Sequence, residues 1–240
     1  MESELATFFH SSFESAFNEA VLDRDYVLDR KRVIEYLWRI AGIPCSEFVD
    51  HAINKMARDG ITTNDIPQFS DWDDGTDVVC RKIFEAGDLG YSHYEIGRML
   101  RGEGVSFAEF RTKKFLTACR KYGEGHAKLA RSLGLLQECE KVYFLSCIGH
   151  CWNEVSNDLK ERLYTRMILR TRFVRHLLQE ASSGSVSVRD TALSLGLSSW
   201  SVYRRHSNVV CLLKRLRASR EFDFSELINR IDVDSMLERL

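Results

Sequence analysis

Helix-breaking residues are scarce in this chain, which has two prolines and 14 glycines among its 240 residues. Their scarcity excludes collagen-like and low-complexity structure and favours a mainly α-helical fold. Hydrophobic residues make up 44% and charged residues 29%, a balance typical of globular domains rather than of disordered chains. The seven cysteines are odd in number and have no framework spacing, so we expect reduced thiols in a cytoplasmic protein.

Long hydrophobic runs are missing as well. The longest apolar-rich run, residues 142–152, is shorter than the roughly 18 residues of a membrane helix and contains Ser146 and His150. The first residues, MESEL, are acidic and lack the basic start of a secretory signal. The sequence therefore predicts neither a membrane segment nor a secretory signal.

Common catalytic signatures are also absent: a Gly-x4-Gly-Lys-Ser/Thr loop, a His-Glu-x2-His pair and a Gly-x-Ser-x-Gly elbow. Asp29 and Lys31 have the carboxylate-x-lysine spacing of metal-dependent nucleases, but their context is helical. Cys147, His150 and Cys151 cluster, yet Cys139 stands apart and completes no second zinc knuckle. We therefore expect no enzyme, cofactor or metal site, with a small nuclease as one alternative.

Charge is unevenly distributed, although the net charge is only −1. Residues 1–119 carry 14 Lys and Arg against 21 Asp and Glu, and residues 221–240 carry 2 against 6. Between them, residues 120–220 carry 18 against 8. This basic segment is a candidate surface for a polyanion such as DNA, and the alternative is charge pairing with the acidic segments.

Hydrophobic spacing and turn residues divide the chain into three predicted segments. Residues 1–75 form a helical region, for which we expect homodimerisation or docking of a protein partner. Residues 76–153 form a winged-helix-like unit, and residues 154–240 form a helical unit with a helix-turn-helix and an acidic tail helix. The predicted fold is therefore mainly α, with an N-terminal helical region followed by two winged-helix or helix-turn-helix units and a small β-wing.

The middle segment has the clearer helix boundaries. Ser92–Glu95 and Ser106–Glu109 have the capping-box pattern, and Gly123 and Gly125 are interpreted as a break. Four helices followed by a strand hairpin are predicted, at 77–86, 92–100, 106–121 and 124–133. The candidate phosphate-binding residues here are Lys121, Lys128 and Arg131. Whether 106–121 or 124–133 would enter a DNA groove stays open.

The third segment contains the spacing Ala-x3-Gly-x5-Val of a helix-turn-helix, at Ala192, Gly196 and Val202. Ser187 and Ser198 are positioned to cap its two helices. The second helix begins with the candidate base-recognition residues Trp200, Ser201, Tyr203, Arg204 and Arg205. Candidate phosphate contacts follow at Lys214 and Arg215. The alternative is a helical hairpin with a solvated basic face.

Two passages carry a family resemblance: YGEGHAKLARSLGL, residues 122–135, and YRRHSNVVCLLKRL, residues 203–216. Together they resemble the tandem winged-helix DNA-binding regions found beside nucleases in bacterial restriction systems. The resemblance covers about residues 77–220 and implies DNA recognition in defence or transcription regulation, without implying a target site. We predict a sequence- or modification-specific double-stranded DNA-binding protein. The alternative is an adaptor or regulatory subunit that docks through winged helices.

Overall fold

The computed structural model describes residues 30–54, 72–101 and 112–237. The described chain is mainly α-helical, as the scarcity of proline and glycine predicts. Its helices are α1 (Arg30–Gly42), α2 (Cys45–Asn54), α3 (Trp72–Glu85), α4 (His93–Arg101), α5 (Lys113–Ser132), α6 (Cys147–Cys151), α7 (Asn157–Arg170), α8 (Arg172–Ser183), α9 (Val188–Ser194), α10 (Ser199–Arg217) and α11 (Ser225–Asn229). Its strands are β1 (Leu136–Cys139), β2 (Val142–Leu145), β3 (Val186–Ser187) and β4 (Ile231–Asp232). Short 3-10 helices are present at Trp152–Glu154 and Asp234–Leu237.

Packing groups the chain into two compact units. Of the described residues, the first, here the hairpin unit, comprises 30–36, 73–101 and 112–155. The second, here the helix-pair unit, comprises 37–54, 72 and 156–237. The predicted helices of residues 1–29 and the Ser106–Glu109 capping box lie outside the described residues.

Helices α4 and α5 of the hairpin unit cross with their backbones in direct contact. A Cβ atom on Gly97 would lie 1.8 Å from the carbonyl oxygen of Cys119, and one on Gly123 would lie 1.9 Å from that of His93. Real Cβ contacts are never this short, so only glycine fits at either position. The predicted break at Gly123 and Gly125 is wrong: α5 is one helix from Lys113 to Ser132, and Gly123 serves the crossing instead.

A β-hairpin follows α5, as predicted. Strands β1 and β2 pair antiparallel, with Leu136 opposite Leu145 and Cys139 opposite Val142. The connecting residues Glu140 and Lys141 have φ values of 50° and 68°, the double positive φ of a tight type I′ turn. An isolated antiparallel bridge between Tyr91 and Tyr143 adds a third extended segment beside β2. Tyr91 lies between α3 and α4, so the segment that connects these two helices passes beside strand β2.

Two helix starts in this unit test the sequence patterns. The Ser92–Glu95 capping box is confirmed: the Ser92 amide donates to Glu95 Oε2 at 2.8 Å, and the Glu95 amide donates to Ser92 Oγ at 3.4 Å. Helix α3 begins at Trp72, five residues before the predicted start at 77. Acidic residues are favoured in the first turn of a helix, which explains the earlier start.

The buried Arg166 ties three segments of the helix-pair unit together. Its side chain is fully buried on α7 and donates to the backbone carbonyls of Ala41 and Ile43, at the end of α1. It also pairs with Glu221 Oε2 at 2.7 Å, in the segment after α10. The guanidinium lies 5.3 Å from the centre of the Phe48 ring on α2. A cation at a helix C-terminus compensates both the unpaired carbonyls and the helix dipole.

The predicted helix pair near the C-terminus is present, as α9 and α10. The Ser187 hydroxyl accepts from the Asp190 amide at 3.1 Å and Ser198 accepts from Ser201 at 3.3 Å, so both predicted caps are confirmed. Between the helices, Gly196 has a φ of 84°, the left-handed conformation that a side chain disfavours. The strands that flank this pair, β3 and β4, are parallel, with Val186 opposite Ile231.

Candidate nucleic-acid interface

The first turns of α10 present an aromatic pair to solvent. Trp200 is 64% exposed, and its ring stacks on Tyr203 with centroids 5.7 Å apart and planes 17° from parallel. On the opposite side of the helix, Val202 is buried against the core, together with Ala192 of α9. The inner face of α10 is therefore packed in the core, and of the predicted base-recognition residues Trp200 and Arg204 are exposed, whereas Ser201, Tyr203 and Arg205 are half-buried.

Ser201 forms two hydrogen bonds with Ser198. Its backbone amide is capped by Ser198, and its hydroxyl accepts a hydrogen bond from the Ser198 hydroxyl at 3.0 Å. Ser198 is thus the cap, as the sequence predicts, and Ser201 is the residue that it caps. The base-recognition role of Ser201 stays a prediction.

Arginine side chains follow the aromatic pair. Arg204 is exposed and Arg205 is partly buried. Burial lowers the pKa of Arg205, and the neighbouring charge of Arg204 lowers it further. No carboxylate residue occurs anywhere in α10, so the helix offers concentrated positive charge. An anionic ligand would relieve the repulsion between Arg204 and Arg205.

The predicted phosphate contacts at the end of α10 differ from each other. Lys214 is exposed. Arg215 is paired with Glu161 Oε1 at 2.5 Å and lies 5.0 Å from the centre of the Tyr164 ring. Both partners lie on α7, so Arg215 is engaged within its own unit. A phosphate contact by Arg215 would have to compete with that carboxylate.

The same contrast occurs on α5 of the hairpin unit. Lys121 is exposed, whereas Lys128 is paired with Glu124 Oε1 at 2.7 Å and Arg131 is paired with Glu138. The first half of the helix carries further exposed cations, Lys113, Lys114 and Arg120, which the sequence already indicates as part of the positive charge of this unit. No acidic residue occurs between Lys113 and Lys121. The structure adds that the cations of this half are exposed, which makes them better candidates for phosphate contacts than Lys128 and Arg131.

A polar pair of a half-buried histidine and a buried tyrosine supports the hairpin beside α5. His93 Nε2 lies 2.9 Å from the Tyr143 hydroxyl, and Tyr143 is fully buried. Desolvation lowers the pKa of His93, with smaller and opposing contributions from Glu124 and Lys128. Desolvation raises the pKa of Tyr143, because burial disfavours the charged form, which for tyrosine is the deprotonated one. Both groups are therefore neutral near neutral pH and serve to hold α4 against β2.

Metal-binding clusters do not form in the part of the chain that the structure covers: no three His, Cys, Asp or Glu side chains are placed to hold an ion. Burial raises the pKa of Cys147 to about 12 and that of Cys151 to about 11, so both are protonated thiols of the core. Nearby, His150 Nε2 lies 2.8 Å from Asp88 Oδ2. The seven cysteines, all of which lie within the described ranges, form no disulfide bond. Asp29, a candidate for a nuclease centre, lies outside the described ranges.

Comparisons with known proteins give no further guide to this surface. No family model matches the chain, and neither a curated protein nor a solved structure matches it significantly. None of the described helices combines the length and the apolar character that crossing a membrane requires.

Proposed function

We propose that this protein binds double-stranded DNA in a sequence- or modification-specific manner, with the first turns of α10 in the major groove. The observation that carries the proposal is the α9–α10 pair, whose second helix is fixed by Ala192 and Val202 and exposes Trp200 and Arg204. Helix-turn-helix proteins place the N-terminal residues of such a second helix against base edges.

Charge supports the same proposal. Helix α10 has five lysine and arginine residues and no acidic residue. Phosphate contacts by lysine and arginine supply most of the sequence-independent affinity for DNA. Arginine also pairs with the O6 and N7 atoms of guanine through two hydrogen bonds, the commonest specific contact in the major groove. Arg204 is the described side chain best placed for this role, because it is exposed one turn after Trp200.

The hairpin unit is proposed as a second, winged-helix-like contact. Its order is α3, the Tyr91 bridge, α4, α5 and then the β1–β2 hairpin, the order in which a winged helix presents its elements. The exposed cations from Lys113 to Lys121 would contact phosphates. With the resemblance of residues 77–220 to tandem winged-helix regions, this supports a role as a recognition subunit or regulator, with bacterial defence as the proposed setting.

A salt titration tests the proposal. The full chain is titrated into a fluorescently labelled duplex at several salt concentrations, with Mg²⁺ present, and the DNA is then run on a denaturing gel. We expect intact DNA and a linear fall of log affinity with log salt, with a slope of about −0.9 for each phosphate contacted. Absence of binding at low salt would contradict the proposal, and cleaved DNA would identify a nuclease instead.

A protein-docking role is the second candidate, and the exposed Trp200–Tyr203 pair is the observation that favours it. Tryptophan, tyrosine and arginine are enriched among the residues that dominate protein–protein affinity. An adaptor that uses this surface would bind DNA weakly, with a salt slope near zero. The same titration therefore separates the two candidates.

A further inference from the structure

Trp200 on α10 is the most exposed aromatic side chain of the described residues. It is 64% exposed, compared with 49% for Trp38 and 38% for Phe84. Its ring stacks nearly parallel on the half-buried Tyr203, and this contact holds the exposed Trp200 ring in a defined orientation. A preorganised apolar surface of this kind is typical of a binding site.

The surroundings of the pair restrict what it can bind. Arg204 follows Trp200 by four residues, so it lies on the same face one turn later. No acidic residue occurs on α10 to repel an anion. The surface thus combines an apolar plane with an adjacent cation, and it is complementary to a ligand that has an apolar group beside hydrogen-bond acceptors and phosphate charge.

The major groove offers that combination at a defined place. The C5-methyl group of thymine is the apolar group that pyrimidines present there, and guanine presents the two acceptors that arginine binds. We infer that the Trp200–Tyr203 pair recognises a pyrimidine C5-methyl group, of thymine or of 5-methylcytosine, beside a guanine bound by Arg204. The inference rests on the proposed DNA binding, and it specifies which base-pair step of the duplex α10 contacts.

Two selections with the full chain test the inference. One random duplex pool contains thymidine and the other contains deoxyuridine, which lacks the methyl group but pairs identically. We expect the thymidine pool to yield a motif with a thymine–guanine step and the deoxyuridine pool to lose that position. In the selected duplex, replacing this thymine by uracil is expected to lower the affinity about fourfold, the factor that corresponds to burying one methyl group.

The two sources of the methyl group are then compared in the same duplex. The thymine is replaced by cytosine, with and without a 5-methyl group. A gain of about fourfold on methylation supports the inference and includes methylated DNA among the ligands. A preference for thymine over uracil without this gain supports it for thymine alone.

Two tryptophan variants give the residue-specific control. Trp200→Ala is expected to bind the thymine and uracil duplexes equally, and circular dichroism checks that it folds. Trp38→Ala removes another exposed tryptophan, on α1, and is expected to keep the fourfold preference. Retention of the preference in Trp200→Ala would contradict the assignment.

Other outcomes would overturn the inference, and they differ in what they mean for the proposed function. Equal affinity of the natural chain for thymine and uracil duplexes, with no gain on cytosine methylation and at an unchanged salt slope, would mean that DNA is bound but no methyl group is recognised, which leaves the proposed function intact. Failure of both pools to yield a motif would contradict the sequence specificity of the proposed function as well. Tighter binding of single strands than of duplex would contradict both proposals and would indicate that Trp200 stacks on unpaired bases instead.

Discussion

The two basic helices, α5 and α10, resemble each other in charge but differ in how they are held. Helix α5 is fixed by backbone contact, through Gly123 against α4, and its later cations are paired with carboxylates. Helix α10 is fixed by apolar side chains such as Val202 and has no acidic residue. Positive charge in the sequence therefore identifies two candidate surfaces. The exposure and the ion pairing of each side chain then separate the cations with a structural role from those that are available to a ligand.

The largest expected effect on stability comes from Gly123, where α5 crosses α4 with backbone contact. Helix α10 contains no glycine. Gly123→Ala would place a Cβ atom 1.9 Å from the His93 carbonyl oxygen, so the helices must separate. We expect a loss of about 3 kcal/mol or more in unfolding free energy, at or above the usual range for overpacking. Urea unfolding followed by circular dichroism measures it. Gly42→Ala, at a position with open space, should change the stability by no more than about 1 kcal/mol.

The next effect concerns the scaffold of the unit that contains α10. Arg166→Met leaves the Ala41 and Ile43 carbonyls and Glu221 without their buried partner. We expect a loss of about 3 kcal/mol or more in the same unfolding measurement. Arg162→Met is the matched control on the same helix, because its side chain is 42% exposed and its ion pairs are longer, at 3.3 Å to Asp158 and 3.7 Å to Glu221. Its loss should stay below about 1 kcal/mol, and equal losses in both variants would contradict the role of Arg166.

The comparison of the two helices is tested directly by DNA affinity. The double variant Arg204→Ala with Arg205→Ala should weaken binding by about 1–3 kcal/mol for each base that the two arginines no longer recognise. Lys128→Ala should weaken binding less, because Lys128 is already paired with Glu124. Fluorescence anisotropy with the selected duplex measures both. Unchanged affinity in the double variant would exclude this site, and a larger loss in Lys128→Ala would make α5 the principal interface.

A smaller effect is expected from single phosphate contacts on α5. Lys121→Ala should reduce the salt slope of DNA binding by about one unit and weaken all duplex sequences alike. Lys31→Ala removes a lysine that is 86% exposed on α1 and lies 3.9 Å from Glu35. It should leave the slope unchanged. If both variants change the slope equally, the effect reflects net charge rather than a contact.

The last effect is the pH dependence of the stability of the hairpin unit. Burial lowers the pKa of His93 below its ordinary value of 6.5, so the unfolded chain takes up the proton first as the pH falls. The contribution of His93 is fully present above about pH 6.5 and is lost as the pH falls towards the folded-state pKa. The lowered pKa values of Glu95 and Glu124 act in the same direction at lower pH, below 4.5.

The His93→Gln variant isolates this contribution, because glutamine keeps a hydrogen-bonding group near Tyr143 but does not titrate. Unfolding by urea at about pH 7.5, 6 and 5 should show the upper part of the acid destabilisation in the natural chain and not in the variant. An identical pH profile in both proteins would contradict the burial of a neutral His93.

Features that depend on neighbouring residues could be predicted from the sequence. The caps at Ser92, Ser187 and Ser198 and the turn at Gly196 are formed within three or four residues, and all four are confirmed. The hairpin after α5 is likewise predicted, from the run of residues 135–152 rich in Val, Tyr, Phe and Ile, but the last part of that run forms α6 instead of strand. The mainly helical class followed from composition alone.

Features that depend on distant segments could not be predicted. Gly123 was interpreted as a break because nothing local indicates that α4 passes over it. Arg166 was overlooked, although a single charge inside the run from Leu163 to Leu169 was a visible signal. Its backbone partners, Ala41 and Ile43, come from the other end of the sequence.

The candidate site shows the same division. The exposed face of α10 follows from local spacing, and the pairing of Lys128 with Glu124 could have been expected at a four-residue separation. The pairs Arg131–Glu138 and Arg215–Glu161 form only when separate elements pack together. Sequence reasoning therefore found the cations, but it could not tell which of them the fold engages.

Hydroxyl-radical footprinting with mass spectrometry tests most directly whether α10 contacts DNA. Trp200 is 64% exposed and Trp38 is 49% exposed, so the two are oxidised in the same sample and serve as target and internal reference. With saturating duplex, we predict that the oxidation rate of Trp200 falls sharply relative to that of Trp38. An unchanged ratio at full DNA occupancy would contradict the account.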